Sequence, residues 1–158
     1  MKNYLFIMAA ASALLAVPVA ADNCILSSEN TSLVITANKG SEPHYRYFGP
    51  KINEAEFQTI DKSGMAMNPF SYPLFGLRST GEKPILTQMP DGTLSLQMVV
   101  EDVQRKTDSK GELLVITLKD KVYPFIVRQC FRAYAGTDVL STWTEMENQG
   151  KKDIQLLR

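Results

Sequence analysis

From residue 112 to the end of the chain, apolar and polar positions trade places in short runs separated by turn residues: ELLVITLKD, then KVYPFIVRQCFRAYAG, then TDVLSTWTEMENQGKKDIQLLR. Alternation of this kind predicts strands, and the short polar breaks at Asp120-Lys121, Gly136-Thr137-Asp138 and Asn148-Gln149-Gly150 predict antiparallel neighbours. Within the first run, residues 113–118 are apolar on both faces, the pattern of a strand covered above and below. Upstream, Pro90-Asp91-Gly92 is a turn signal, and residues 93–101 alternate, with Leu94, Leu96, Met98 and Val100 on one side. Residues 32–37 (SLVITA) and 44–48 read as two further strands. Between 49 and 90, Pro and Gly recur with no helical period, which predicts one long connection of the sort that often carries function. The consequence is an all-β, antiparallel, sandwich-like domain. The last run is still in a strand pattern at residue 158, and an unpartnered strand leaves backbone groups and an apolar face unpaired, so the pattern predicts the front of something larger.

The N-terminus follows a different logic. Lys2 precedes an apolar stretch over residues 4–17, Pro18 breaks it, and Val19-Ala20-Ala21 supplies the small residues that a signal peptidase requires. Residues 1–21 are therefore predicted to be a signal peptide, helical in its apolar part and cleaved after Ala21, which implies export to the periplasm or the outside of the cell. The apolar run is shorter than the ~20 residues that a bilayer demands. Cys24 does not make a lipid anchor, because Asn23 and Ala21 stand where a lipobox needs a small residue and a leucine. Loss of the segment removes only Lys2 among charged residues and leaves a net charge of −1, with no cluster of Lys or Arg. Nucleic acid and anionic membranes are thereby poor partners. At 44% hydrophobic and 22% charged residues, the whole chain has the composition of one that buries a core.

Candidate chemistry is sparse. Cys24 and Cys130 either form one disulfide in an oxidising compartment, or stay free, Cys130 packed on a strand and Cys24 in a mobile N-terminus. With one histidine, His44, and no Cys-x-x-Cys pair, no metal site or other cofactor is expected. Glu145 and Glu147 lie two apart on one predicted strand and so share a face, the best pair of carboxylates for acid–base work, although such pairs are usually solvated surface. Trp143 reads as a core residue or as a sugar platform, with core favoured by its flanking threonines. His44 as an epimerase base lacks a second histidine, which leaves a strand-edge role. Tyr45, Tyr47, Phe48, Phe70, Tyr72 and Phe75 sit in or beside the loose region, better placed for exposure or to pin a loop.

Two motifs at compatible separation carry a resemblance. Leu114, Ile116, Leu118 and Asp120 match a run L-x-I-x-L-x-D, and Asp138, Val139, Leu140, Trp143, Glu145, Met146, Asn148 and Gly150 match D-V-[IL]-x-x-W-x-E-[IM]-x-N-x-G; upstream, Tyr72-Pro73-Leu74-Phe75-Gly76 matches Y-P-x-F-G. Over residues 71–158 the chain resembles the N-terminal β-supersandwich, a galactose-mutarotase-like fold, of family 36 glycoside hydrolases, the retaining α-galactosidases. After the Phe-Gly the family continues with an Asp-Phe-Arg segment before Glu-Pro, whereas this sequence reads LRSTGEKP, with Arg78 and Pro84 in the corresponding places. In the family that loop reaches toward a substrate pocket, so the resemblance implies Phe75 and Arg78 as substrate-binding candidates.

The resemblance further implies that residues 22–158 are an incomplete N-terminal sandwich, with the catalytic (β/α)₈ barrel and its two carboxylates absent. The expected role is the non-catalytic front part of a secreted α-galactosidase that hydrolyses terminal α-galactosides of oligosaccharides. Its expected partners are the barrel, the oligosaccharide in the full-length enzyme and further copies in a homo-oligomer. The alternative is a stand-alone carbohydrate-binding β-sandwich. No catalytic residue is expected in the chain itself.

Overall fold

A computed structural model describes residues 23–74 and 82–157, together with the backbone of Val17–Pro18. In chain order the elements are β1 (Val17–Pro18), β2 (Asn23–Ser27), β3 (Thr31–Thr36), β4 (His44–Pro50), α1 (Glu54–Lys62), β5 (Thr87–Gln88), β6 (Met98–Asp108), β7 (Gly111–Asp120), β8 (Phe125–Tyr134), β9 (Leu140–Asn148) and β10 (Gln155–Leu156). They form a five-stranded sheet in the order β1-β6-β7-β8-β9, a three-stranded sheet β2-β3-β4 and a two-stranded ribbon β10-β5. Every pairing is antiparallel. The architecture is the antiparallel β-sandwich that the alternation predicts.

Alternation places the core. Leu114, Ile116 and Leu118 of β7 point inward beside Phe131, Gln129 and Val127 of β8, and the three leucine and isoleucine side chains are fully buried. From the facing sheet, Cys24 and Leu26 of β2 and Leu33 and Ile35 of β3 enter the same apolar cluster. Burial of each such side chain contributes roughly 1.5–3 kcal/mol. On β6 the inward set changes phase: Met98 and Val100 are buried, a register shift falls between Val100 and Asp102, and Val103 is the next buried residue. One extra residue, Glu101, re-aims the strand.

Several expectations need correction. Residues 93–97 are not strand; the Gln97 amide donates to the Asp120 carboxylate at 2.6 Å, and β6 begins at Met98. Among the described residues no second layer covers the outer face of β7, where Leu113, Val115 and Thr117 are only half-buried. The region 49–90 is not helix-free. Asn53 caps α1, its side chain accepting from the Glu56 amide while the Glu56 carboxylate accepts from the Asn53 amide. The helix escapes a reading by apolar period because Phe57 is its one buried residue. It is tied down by the Arg46–Asp61 ion pair and, just upstream, by the Ile52 amide donating to Ser32 Oγ. The last run is not unpartnered: β10 pairs with β5, and the Leu157 amide donates to the Leu86 carbonyl. Of residues 1–21, only the backbone of Val17–Pro18 is described, and it is extended against Arg105 and Gln104 of β6; the apolar run before it lies outside the described residues.

The two sheets are joined at one end by Asp138. One carboxylate oxygen accepts from Ser28 Oγ and from the Asn30 amide, and the other accepts from Asn30 Nδ2. Hydrogen bonds from the Asn30 side chain and then its backbone amide hold the Asp138 carboxyl below its ordinary value of 3.8. A folded-state pKa below the unfolded one contributes stability that is present above about pH 4 and lost as the pH falls through the folded value. Asp138→Asn is expected to be less stable than the parent at neutral pH but flatter in its acid limb; melting temperatures measured across that limb check it, and parallel curves for the two proteins contradict it.

Candidate functional site

The sheets diverge at the side where β4 and β9 lie, and leave a cleft of about 370 Å³ between them. Its walls are apolar: Leu26 and Leu33 at the back, Tyr45 and Phe48 from β4, Phe131 from β8, and Leu140 to Thr142 from β9. Tyr45 and Phe131 meet edge to face at 6.4 Å, and burial raises the Tyr45 phenol. A cleft with so few polar groups does not resemble a sugar site, where convergent hydrogen-bonding groups fix orientation.

β9 carries the other candidates. Register with β8 puts Trp143 beside Cys130, Glu145 beside Arg128 and Glu147 beside Ile126, all on the outer face. Trp143 is 38% exposed and is not a core residue, a correction to the sequence reading. Its indole N–H donates to Glu145 at 3.1 Å. Glu145 and Glu147 do share a face, but Glu147 accepts from Gln149 and Arg128, and those bonds, Gln149 first, lower its pKa. A general acid in glycoside hydrolysis requires the opposite shift. Cys130 is buried beside the Glu145 carboxylate, and burial, then that charge, push its thiol up to about 11.

Cys24 and Cys130 are both free and buried. Cys24 sits in β2 inside the core, not in a mobile terminus, while Cys130 is on the outer face of β8. The sheet stands between the two thiols.

His44 lies beside Phe70 at 4.6 Å between ring centroids, and its Nδ1 is 3.0 Å from the Asn68 carbonyl oxygen. The ring thus pins the loop that follows α1. Ser71 and Gln129 exchange two buried bonds, Ser71 Oγ to Gln129 Oε1 at 2.9 Å and Gln129 Nε2 to the Ser71 carbonyl at 3.0 Å. Next to it Tyr72 is buried, its phenol pushed up to about 12 by desolvation. These contacts position the Tyr72-Pro73-Leu74 segment on the sheet and were not legible in the sequence; the buried pair spans 58 residues. Phe75 and Arg78 lie outside the described residues. Among the described residues, no three His, Cys, Asp or Glu side chains are grouped to hold a metal ion.

Comparison with known proteins bears on this arrangement. The family model for the glycosyl hydrolase family 36 N-terminal domain matches residues 41–158. No curated protein matches the chain. Among solved structures, the fold is similar to that of the GH36 α-galactosidase AgaB from Geobacillus stearothermophilus, with a TM-score of 0.74 and 16% identity over 92% of this chain and 24% of that one. A variant of AgaA from the same organism, in complex with 1-deoxygalactonojirimycin, gives a TM-score of 0.71 and 17% identity over 86% of this chain and 23% of that one. The α-galactosidase from Lactobacillus brevis gives 0.68 and 13% over 89% and 23%. The chain therefore spans about a quarter of the length of these solved proteins.

Proposed function

The chain belongs to the N-terminal domain family of the family 36 glycosyl hydrolases, and from that premise we propose that it is the non-catalytic front part of an α-galactosidase acting on terminal α-galactosides. The match over residues 41–158 carries the reading. The chemistry of β9 supports it, since its two glutamates are partnered by neighbouring Arg, Gln and Trp side chains rather than poised as an acid and a nucleophile. In the full-length enzyme the sandwich packs against a catalytic barrel, and the loop that carries Phe75 and Arg78 approaches the substrate. The signal-peptide pattern of residues 1–21 supports export of the protein to the periplasm or beyond. Cleavage after Ala21 removes β1 from the edge of β6.

The purified chain is expected to release no nitrophenol from a nitrophenyl α-galactoside above the uncatalysed rate. Turnover that disappears in Glu145→Gln overturns the reading, because the chain then holds its own catalytic carboxylate.

A further inference from the structure

The β5–β10 ribbon and the Pro90-Asp91-Gly92 turn enclose a hollow of about 430 Å³ that shares no residue with the apolar cleft. Register builds its polar side. Gln88 of β5 stands directly opposite Gln155 of β10, so the two side chains leave one face of the ribbon with Cβ atoms about 5 Å apart, and both line the hollow. Thr87, one residue earlier, points the other way and is buried. Asp153, two residues before Gln155, adds a carboxylate to the lining. Met89, Pro90 and Ile154 supply the apolar part, with Met89 buried and Ile154 packed on the core cluster. The frame is held by bonds of its own. The Gly92 amide donates to the Met89 carbonyl and the Met89 amide to the Thr93 carbonyl, both at 2.8 Å, which closes the turn. One oxygen of Asp91 accepts from the Thr93 amide and the other from the Tyr123 hydroxyl, so the turn is also fastened to the β7–β8 connection. Asn148 accepts from the Gly150 amide and donates to the Lys152 carbonyl, which shapes the approach to Asp153. Gly92, at φ +88°, also lines the hollow, and a Cβ there stands 3.9 Å from Gln88 Nε2.

We infer that this hollow is a saccharide subsite that takes one pyranose ring of an oligosaccharide. Two primary amides side by side offer two carbonyl acceptors and two NH₂ donors, the complement of neighbouring hydroxyls, each of which both donates and accepts. The Asp153 carboxylate accepts from a further hydroxyl in a charge-assisted bond. The C–H face of the ring is apolar and lies on Met89, Pro90 and Ile154. A few convergent polar groups beside an apolar surface, in a space of this size, are what a small-molecule site requires. An acyl chain leaves the amides and the carboxylate without partners, and an anion meets the charge of Asp153, so the lining selects against both. The walls are set before the ligand arrives, which lowers the cost of ordering them on binding. The inference uses only the residues of the hollow. It does not depend on the galactosidase reading, and loss of either leaves the other standing.

The side-chain amide resonances of Gln88 and Gln155 in the nitrogen-15-labelled full chain report on the hollow directly. Methyl α-galactopyranoside and raffinose, titrated into the high millimolar range, are each expected to shift both amides along a saturable curve. Gln155→Ala and Asp153→Ala, both at exposed positions, are expected to weaken that binding at least fivefold as read from Gln88, with the backbone spectrum of the parent retained. Met65→Ala, at an exposed residue beyond α1, is expected to leave the curve unchanged. Sodium acetate tests the opposite charge preference, since Lys151 and Lys152 line an adjoining hollow of about 180 Å³, and it is expected to leave the two amides in place. The inference is overturned if neither sugar gives a saturable shift, if the shifts survive both Gln155→Ala and Asp153→Ala, or if acetate moves the amides as the sugars do.

Discussion

Gly111→Ala is expected to be the most damaging small substitution in the chain. Gly111 closes the β6–β7 hairpin with φ +125°, a conformation open to glycine and costly to any residue with a Cβ. A Cβ there lies 2.1 Å from the Ala133 carbonyl oxygen and 2.8 Å from the Ala135 amide nitrogen, both backbone atoms of the next strand and its turn. They cannot move without breaking the bond from the Ala135 amide to the Lys110 carbonyl and the ladder between β7 and β8. Strain and clash add to roughly 3–5 kcal/mol, a large share of the ~5–15 kcal/mol that holds an ordinary domain folded. Gly40→Ala separates the two contributions. Gly40 also has positive φ, but nothing stands within 4 Å of its Cβ position, so only about 1–2 kcal/mol of backbone strain remains. Urea unfolding of the two variants, compared with the parent, checks the difference; equal losses show that steric contact with β8 is not what matters at Gly111.

Asp120→Ala is expected to cost about 3 kcal/mol or more, since a buried acceptor leaves several donors without a partner. Asp120 is 4% exposed, and its carboxylate accepts from the amides of Val122 and Tyr123 at 2.8 Å each and from the Gln97 amide at 2.6 Å. One side chain therefore shapes residues 121–124, the connection between β7 and β8, and fastens the approach to β6 against it. That is the physical reason for an aspartate at the end of the L-x-I-x-L-x-D run. Asp120→Asn keeps one oxygen for the turn but turns an amide group toward the Gln97 N–H, so its loss should fall between those of the parent and the alanine variant. Thermal melts of the three proteins decide the matter, and an alanine variant as stable as the parent refutes it.

What was legible in the sequence is what repeats every two residues. β7, β8 and β9 came through because one face of each alternates against a core or a neighbour, and the turns between them carry Asp, Asn and Gly. α1 did not, because a helix whose only buried residue is Phe57 has no stripe to detect; its signature was the capping pair Asn53 and Glu56, three residues apart. Trp143 was misplaced for another reason. Its strand was identified correctly, but whether an indole on a strand is covered depends on which neighbours the sheet supplies, and sheet order is not written in local pattern. The links made by Ser71 to Gln129 and by Asp138 to Asn30 are of the same non-local kind. The family resemblance was readable because its motif positions are structural: Asp120 and Asp138 tie turns, and Leu114, Ile116 and Leu118 fill the core.

The bond between Asp138 and Asn30 also sets an order of events during synthesis. Its two ends are 108 residues apart, and the apolar faces of β2 and β3 have no cover until β6 to β8 exist. At ~5–20 residues per second, a ribosome needs on the order of ten seconds to make that stretch. For that interval Leu26, Leu33 and Ile35 are a short, unsheltered hairpin on a growing chain, and the first strands to emerge are among the last to settle.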